Sequence, residues 1–329
     1  MDSYKPPFTM TDEIVNLVAE ISELLGRISM HGKMQINPRL RRENRIKTIH
    51  SSLAIEHNSL SIEQVTAILK GKRVLGDPNE IKEVQNAYQA YEMMLKLDPL
   101  SLKDLLKAHQ MMMGDLIKES GRFRSGGVGV FDGQKLIHMA PPAKFVPEQI
   151  EDLLKWYKTS RIHPLIKSAV FHYEFEFIHP FEDGNGRMGR MWHSLLLGNW
   201  NEVFFWLPIE ELIRSRQQQY YDVLAQSDKK ADSASFVTLM LEIIRDTLAE
   251  IQLFDLQTDQ DSDQDPVRKM LEAIGGETLS ALEIMERLGL SHKPTFRKNY
   301  LQPALEKGYI ERTIPDKPSS KHQKYRRRM

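Results

Sequence analysis

The sequence predicts a mainly α protein with one β-hairpin and a small winged-helix domain at its C-terminal end. Three observations carry this. Apolar residues recur at helical period up to about Phe254, a single break at Gly121 to Pro142 holds an Asp-Gly turn, and composition shifts sharply near residue 255. The 329 residues include no cysteine, which excludes disulfide frameworks, thiol nucleophiles and Cys-ligated zinc. With 41% apolar and 27% charged residues, the chain has a globular composition. MDSYKPPFTMTDE lacks a basic start followed by an apolar run, and no stretch of about 18 apolar residues occurs. No membrane role is expected, and a reducing, cytoplasmic setting fits.

The elements follow in order. Ile14, Leu17, Val18, Ile21, Leu24, Leu25 and Ile28 form one face of a first helix. Ser61 with Gln64 reads as a capping box for a helix stopping near Gly71. Asp77, Pro78 and Glu80 open another, whose stripe is Ile81, Val84, Tyr88, Tyr91 and Leu95. Ser101 begins the next, in which His109 reads as a packed or half-exposed residue and Met111 to Met113 as core filler. Val128 to Phe131 and Lys135 to Met139 flank Asp132-Gly133 as a hairpin. Helices resume near Pro147, at Pro164 as far as Ile178, over Ile209 to Gln226, and over Ser235 to Phe254.

Residues 255–265 read as a solvated acidic linker, because Glu250 to Asp265 holds six acids and no base. Beyond it, residues 266–329 give a helix, then Ser280 and Glu283 capping a second, a turn at Gly289, a third helix from Ser291 to about Lys307, and strands at Tyr309 to Ile314 and Gln323 to Arg327. That order is the winged-helix pattern, and Lys293, Thr295, Arg297 and Lys298 on its third helix suit phosphates and base edges. The chain is neutral overall, with 45 bases and 45 acids, yet residues 291–329 hold eleven bases and three acids, leaving 34 and 42 for residues 1–290. The basic end makes DNA a candidate partner, with a protein-interaction module as the alternative.

The chemistry concentrates in HPFEDGNGRMGR, residues 179–190. Gly184, Asn185 and Gly186 before a helix supply backbone N–H groups for an anion, most naturally a phosphate. Arg187 and Arg190, three apart, can both grip phosphate oxygens. Asp183 is a hard carboxylate able to hold Mg²⁺, and His179 can take a proton from an attacking hydroxyl.

This stretch resembles the signature of the Fic (filamentation induced by cAMP) family, His-Pro-Phe-x-Asp/Glu-Gly-Asn-Gly-Arg-x-x-Arg, at every specified position. Gly121-Arg122-Phe123-Arg124 and the hairpin Val128 to Met139 are similar to the family's flap region. The resemblance implies a helical core over residues 101–254 and transfer of AMP from ATP to a Ser, Thr or Tyr hydroxyl of a target protein. His179 would be the base, Asp183 the Mg²⁺ ligand, Gly184, Asn185 and Gly186 the anion turn, and Arg187 and Arg190 the holders of the β- and γ-phosphates. The flap would align the target by strand addition, with Val128, Gly129 and Val130 beside the nucleotide. Tyr220 resembles a nucleotide-contacting tyrosine of some members. Ser52 and Glu56, within residues 1–100, resemble the family's inhibitory motif Ser/Thr-x-x-x-Glu-Gly/Asn, in which the glutamate pairs with the second arginine, here Arg190; His57 departs from that pattern. The Doc branch, which phosphorylates, has Lys where this chain has Gly186. Transfer of another phosphate-bearing group, removal of AMP, and a DNA-binding regulator whose core senses nucleotide are the alternatives. A homo-oligomer is compatible with this sequence.

Overall fold

Helix α1 (Asp12–His31) turns Ile14, Leu17, Ile21, Leu25 and Ile28 inward, as its period dictates. The computed structural model describes residues 4–31, 38–132, 135–263, 266–306, 308–317, 320 and 323–327. Helix α2 (Pro38–Ile55) follows. In α3 (Ile62–Leu69) both halves of the Ser61 and Gln64 capping box are made. In α4 (Pro78–Met94) Asp77 caps Asn79, but the buried face is Val84, Ala87, Ala90, Tyr91 and Met94. Tyr88 and Leu95 of the expected stripe are exposed, because two small alanines let α4 pack closely along a face rotated from the bulkier one. Helix α5 (Leu102–Met113) is capped by Ser101.

Strands β1 (Gly129–Asp132) and β2 (Lys135–Met139) pair antiparallel, Gly129 opposite Met139, with a bulge between Val130 and Phe131. Gly133 of the turn lies outside the described residues. Then come α6 (Val146–Thr159), α7 (Pro164–Ile178) and α8 (Asn185–Trp200). Helices α7 and α8 are buried nearly all round and form the central pair. The helix expected over Ile209 to Gln226 is two, α9 (Ile209–Ser215) and α10 (Gln217–Lys230). They part at Arg216, which leaves helical geometry (φ −113°, ψ 26°) while its guanidinium meets Asp246.

Helix α11 (Ala234–Asp263) runs on through most of the stretch expected as an acidic linker, 255–265. No glycine or proline occurs from Ala234 to Asp265, so polarity alone does not break the backbone ladder there. Gln264 and Asp265 lie outside the described residues. The chain divides into two compact units, Met1–Gln252 and Leu253–Met329. Residues 1–100 share one hydrophobic core with the rest of the first unit, from Ile14 to Leu248.

The second unit has its own core, built on Val267, Met270, Ile274, Ile284, Phe296 and Ile310. Its elements are α12 (Pro266–Ile274), β3 (Leu279–Ser280), α13 (Ala281–Arg287), α14 (Lys293–Phe296), α15 (Gln302–Glu306), β4 (Ile310–Arg312) and β5 (Lys324–Arg327), with sheet order β3-β5-β4. Strand β3 is an addition to the sequence reading. A π turn, Arg297–Leu301, joins α14 to α15. Pro303 explains it: proline has no N–H for the carbonyl one turn back, and its ring widens the helix before it. His292 caps α14, with Thr295 Oγ1 2.7 Å from its Nδ1, so Thr295 serves the cap. Lys307, Lys321 and Arg328 of the basic stretch lie outside the described residues.

Candidate active site at the turn between α7 and α8

Helix α7 stops because His179 turns left-handed (φ 49°, ψ 62°), a conformation few non-glycine residues adopt. Buried Arg124 holds it there. Its Nε donates to the His179 carbonyl at 2.7 Å and its Nη2 to the Ile178 carbonyl at 3.2 Å, while its backbone N–H donates to the Pro180 carbonyl at 3.0 Å. The same guanidinium donates to the carbonyls of Gly126 and Pro141, on either side of the hairpin. One side chain therefore fixes both the candidate base and the root of the flap.

The tautomer of His179 follows from its neighbour. Its Nδ1 lies 3.3 Å from the Glu176 carbonyl, which can only accept, so Nδ1 carries the proton and Nε2 is the basic nitrogen. Downstream, Asn185 clamps the turn: its Oδ1 accepts from the Phe181 N–H at 2.8 Å and its Nδ2 donates to the Phe181 carbonyl at 2.9 Å. Gly184 sits at φ 83°, and a Cβ there would overlap the Met113 sulfur.

His109 is more than a packed residue. Fully buried, it stacks on Phe181 with ring centroids 3.6 Å apart. Its Nδ1 accepts from the Gly121 N–H at 2.9 Å, so Nε2 carries the proton and donates to the Asp183 carbonyl at 3.0 Å. Burial pushes its pKa down to about 4, which keeps it neutral in this role. The ring thus ties the stretch leading to the flap to the loop before α8.

Asp183 is the exposed member, its side chain 57% accessible, with Oδ1 accepting from the Gly184 N–H at 2.6 Å and Oδ2 3.2 Å from Arg187. That contact occupies one N–H of the expected anion turn. A hard, accessible carboxylate is the kind of donor that suits Mg²⁺, which takes one or two carboxylates and completes its shell with water and phosphate. Among the described residues no group of three or more His, Cys, Asp or Glu gathers as metal ligands.

Both arginines are buried and both meet carboxylates. Arg187 reaches Glu83 of α4 at 2.9 Å as well as Asp183. Arg190 Nη2 lies 2.7 Å from Glu56 Oε1 and donates to the Ser52 carbonyl at 3.1 Å, with Nε 3.3 Å from Ser52 Oγ. Burial alone would lower the Arg190 pKa, but the Glu56 carboxylate reverses this and holds it above the ordinary arginine value. Glu56 Oε1 also lies beside the α-carbon of Gly186, so a Cβ there would require the carboxylate to shift. His57 follows at φ 69°, the left-handed helix-end position that glycine or asparagine fills most easily.

The structure brings His179, Asp183, Gly184, Asn185, Gly186, Arg187, Arg190, Ser52 and Glu56 together. Tyr220 is not at the surface of this site: it is 1% exposed, packed on Phe236, with its hydroxyl 3.1 Å from His172 Nε2. Tyr221, the next residue of α10, is half-buried, and both tyrosines lie within electrostatic reach of Glu56 and Arg190. Val128 accepts from the Ala140 N–H at the hairpin root, and Gly129 and Val130 lie in β1. Lys293, Thr295, Arg297 and Lys298 belong to the second unit. Among the described residues no helix is long and apolar enough to cross a membrane.

Two family models match: the Fic/DOC family over residues 99–197, and the C-terminal domain of the Fic-like filamentation induced by cAMP proteins over 265–327. The chain is 53% identical to a Fic family protein from Desulfovibrio desulfuricans G20 of known structure, covering 99% of this chain and 98% of that one, with a TM-score of 0.75. It is 30% identical over 171 residues to protein adenylyltransferase fic-1 of Caenorhabditis elegans, 48% of this chain and 33% of that protein. It is 29% identical over 218 residues to protein adenylyltransferase Fic of Culex quinquefasciatus, 64% of this chain and 42% of that one. The aligned region is thus less than half the length of these curated relatives. A structure of residues 134–508 of C. elegans Fic-1 shares the fold, at 23% identity over 75% of this chain and 72% of that chain, with a TM-score of 0.61.

Proposed function

The chain belongs to the Fic family, and from that premise we propose that it is a protein adenylyltransferase, restrained by Glu56, that moves AMP from ATP to a Ser, Thr or Tyr hydroxyl of a target protein. The observation that carries this reading is the placement of a basic His179 Nε2 immediately before a glycine turn that opens a helix, with two buried arginines in its first turns. His179 Nε2 takes the proton of the target hydroxyl. The hydroxyl oxygen bonds to the α-phosphorus, the bond from that phosphorus to the bridging oxygen breaks, and pyrophosphate leaves. The N–H groups that open α8 face the phosphates, and Arg187 and Arg190 balance their charge. Mg²⁺ held by Asp183 would supply further charge neutralisation across the phosphates. Arg124 keeps base and flap in one register, so the target strand and the base meet at a fixed place.

Gly186 favours AMP transfer over phosphorylation. The support is the resemblance: the Doc branch, which phosphorylates, has Lys where this chain has Gly186. The test is incubation of the protein and a Glu56→Gly variant with Mg²⁺, candidate target extract and ATP labelled at the α- or the γ-phosphate. Protein-bound label from the α position alone is expected. Label from γ alone would make the protein a kinase, and none from either would end the reading.

A second reading concerns residues 266–329, as a winged helix that contacts duplex DNA in a cytoplasmic protein. It is supported by the exposed Lys293, Arg297 and Lys298, on the far side of a helix whose Phe296 and Leu301 are buried. Replacing all three by Glu should abolish duplex binding measured by fluorescence anisotropy. The salt slope of each single Ala variant should fall by about 1 per lost phosphate contact. Binding by the triple variant equal to that of the parent would overturn it.

A further inference from the structure

Glu176 lies on α7 one turn before His179, and the reaction as described leaves it without a role. Its side chain is 11% exposed, its Oε1 is buried with no hydrogen-bond partner among the described residues, and His172 Nε2 is 3.6 Å away. Oε1 lies against the α-carbon of Gly189, the residue before Arg190, so closely that a Cβ there would overlap it. The carboxyl faces His172 and His179 on its own helix, Arg190 on α8, Glu56 at the end of α2, and Tyr220 and Tyr221 on α10. Burial raises its pKa to about 7; His179 and Arg190 pull it down and Glu56 pushes it up.

Two carboxyls therefore converge on the surroundings of one buried guanidinium. A triphosphate that replaces Glu56 brings more negative charge than the glutamate it displaces. We propose that Glu176 is a positioning residue for nucleotide at Arg190: it must be neutral for the triphosphate to seat, so nucleotide binding takes up a proton there. This rests on the adenylyltransferase reading and adds to it a proton that ATP itself does not supply. The sign is fixed by linkage. A carboxyl that the bound nucleotide holds protonated makes binding tighter as pH falls, and weaker as pH rises through the midpoint of the nucleotide-free protein. Without Glu56 one repulsive charge is gone, so that midpoint lies lower in a Glu56→Gly protein than in the parent.

The experiment is calorimetric titration of Glu56→Gly and of Glu56→Gly/Glu176→Gln with the non-hydrolysable α,β-methylene analogue of ATP and Mg²⁺. It is run from pH 5.5 to 8.5 in buffers of different ionisation enthalpy. In the single variant, affinity should fall by up to about tenfold per pH unit above the Glu176 midpoint, with uptake approaching one proton. The Gln variant should lose that component and bind more tightly than the single variant at pH 8. Glu176→Met, uncharged and of similar length, should behave as Gln does, and melting curves report whether each variant is folded. Parallel pH profiles and equal proton uptake in folded variants that bind the nucleotide would overturn this inference alone. Absence of binding in every folded variant would overturn the adenylyltransferase reading, and this inference with it.

Discussion

Replacing His179 is expected to reduce the initial rate of α-label transfer by about 10²- to 10⁴-fold, the contribution of a positioned general base. The choice of substitution matters, because His179 caps α7 in the left-handed region at φ 49°. Alanine there adds a backbone cost of about 1 kcal/mol or more, whereas asparagine tolerates the conformation and cannot act as a base near neutrality. His179→Asn is therefore the cleaner variant. Its turn should remain tied by Arg124, whose bonds go to backbone carbonyls and not to the imidazole. Nucleotide affinity should change far less than the rate, since the proposed function gives the holding of the phosphates to Arg187, Arg190 and the N–H groups opening α8. A rate within tenfold of the parent, with a melting temperature that shows the variant folded, would remove His179 from the chemistry.

The polar residues of that turn were legible in the sequence because a phosphate seat needs glycines, paired cations and a base within a few positions of one another. What holds them was not. Arg124 and His109 act on residues 55 and 74 positions away, through backbone carbonyls that carry no sequence signature. His109 also lies on an apolar helical stripe, where a histidine ordinarily packs without a task. Tyr220 and Tyr221 differ by one step of a helix, about 100°, and only the packing of α10 on His172 and Phe236 decides which of them is sealed in the core. Glu176 gave no signal for a different reason. Its situation depends on a glycine thirteen positions later and on a carboxylate from α2, so nothing local marks it. The acidic run after Phe254 did not show how far α11 extends, because charge reports solvation, while helix continuity is governed by glycine and proline, and neither interrupts α11.

Removing Glu56 should raise activity and lower the stability of the nucleotide-free protein together. The two effects share one cause. The buried Arg190 is matched by the Glu56 carboxylate at 2.7 Å, and under the proposed function a γ-phosphate bound to the same guanidinium would have to displace it. A charge-assisted hydrogen bond of this kind is worth about 1.5–3 kcal/mol. Its loss should therefore favour the competent state by about 10- to 150-fold at subsaturating ATP, since each 1.4 kcal/mol is a factor of ten. Glycine at 56 also leaves Arg190 facing Ser52 without that counter-charge. Breaking a buried pair costs up to about 3–5 kcal/mol, less here because Glu56 is 30% exposed and water can reach the gap. The Glu56→Gly protein should thus melt earlier than the parent when empty and recover more than the parent on adding ATP with Mg²⁺, because only in the variant does the triphosphate arrive at an arginine that Glu56 no longer occupies. Glu56→Gln separates charge from bulk. It keeps the contact with Gly186 but not the ion pair, and should fall between parent and glycine variant in both rate and melting temperature. Equal rates in all three proteins would mean that the Glu56–Arg190 pair holds α2 in place without restraining catalysis.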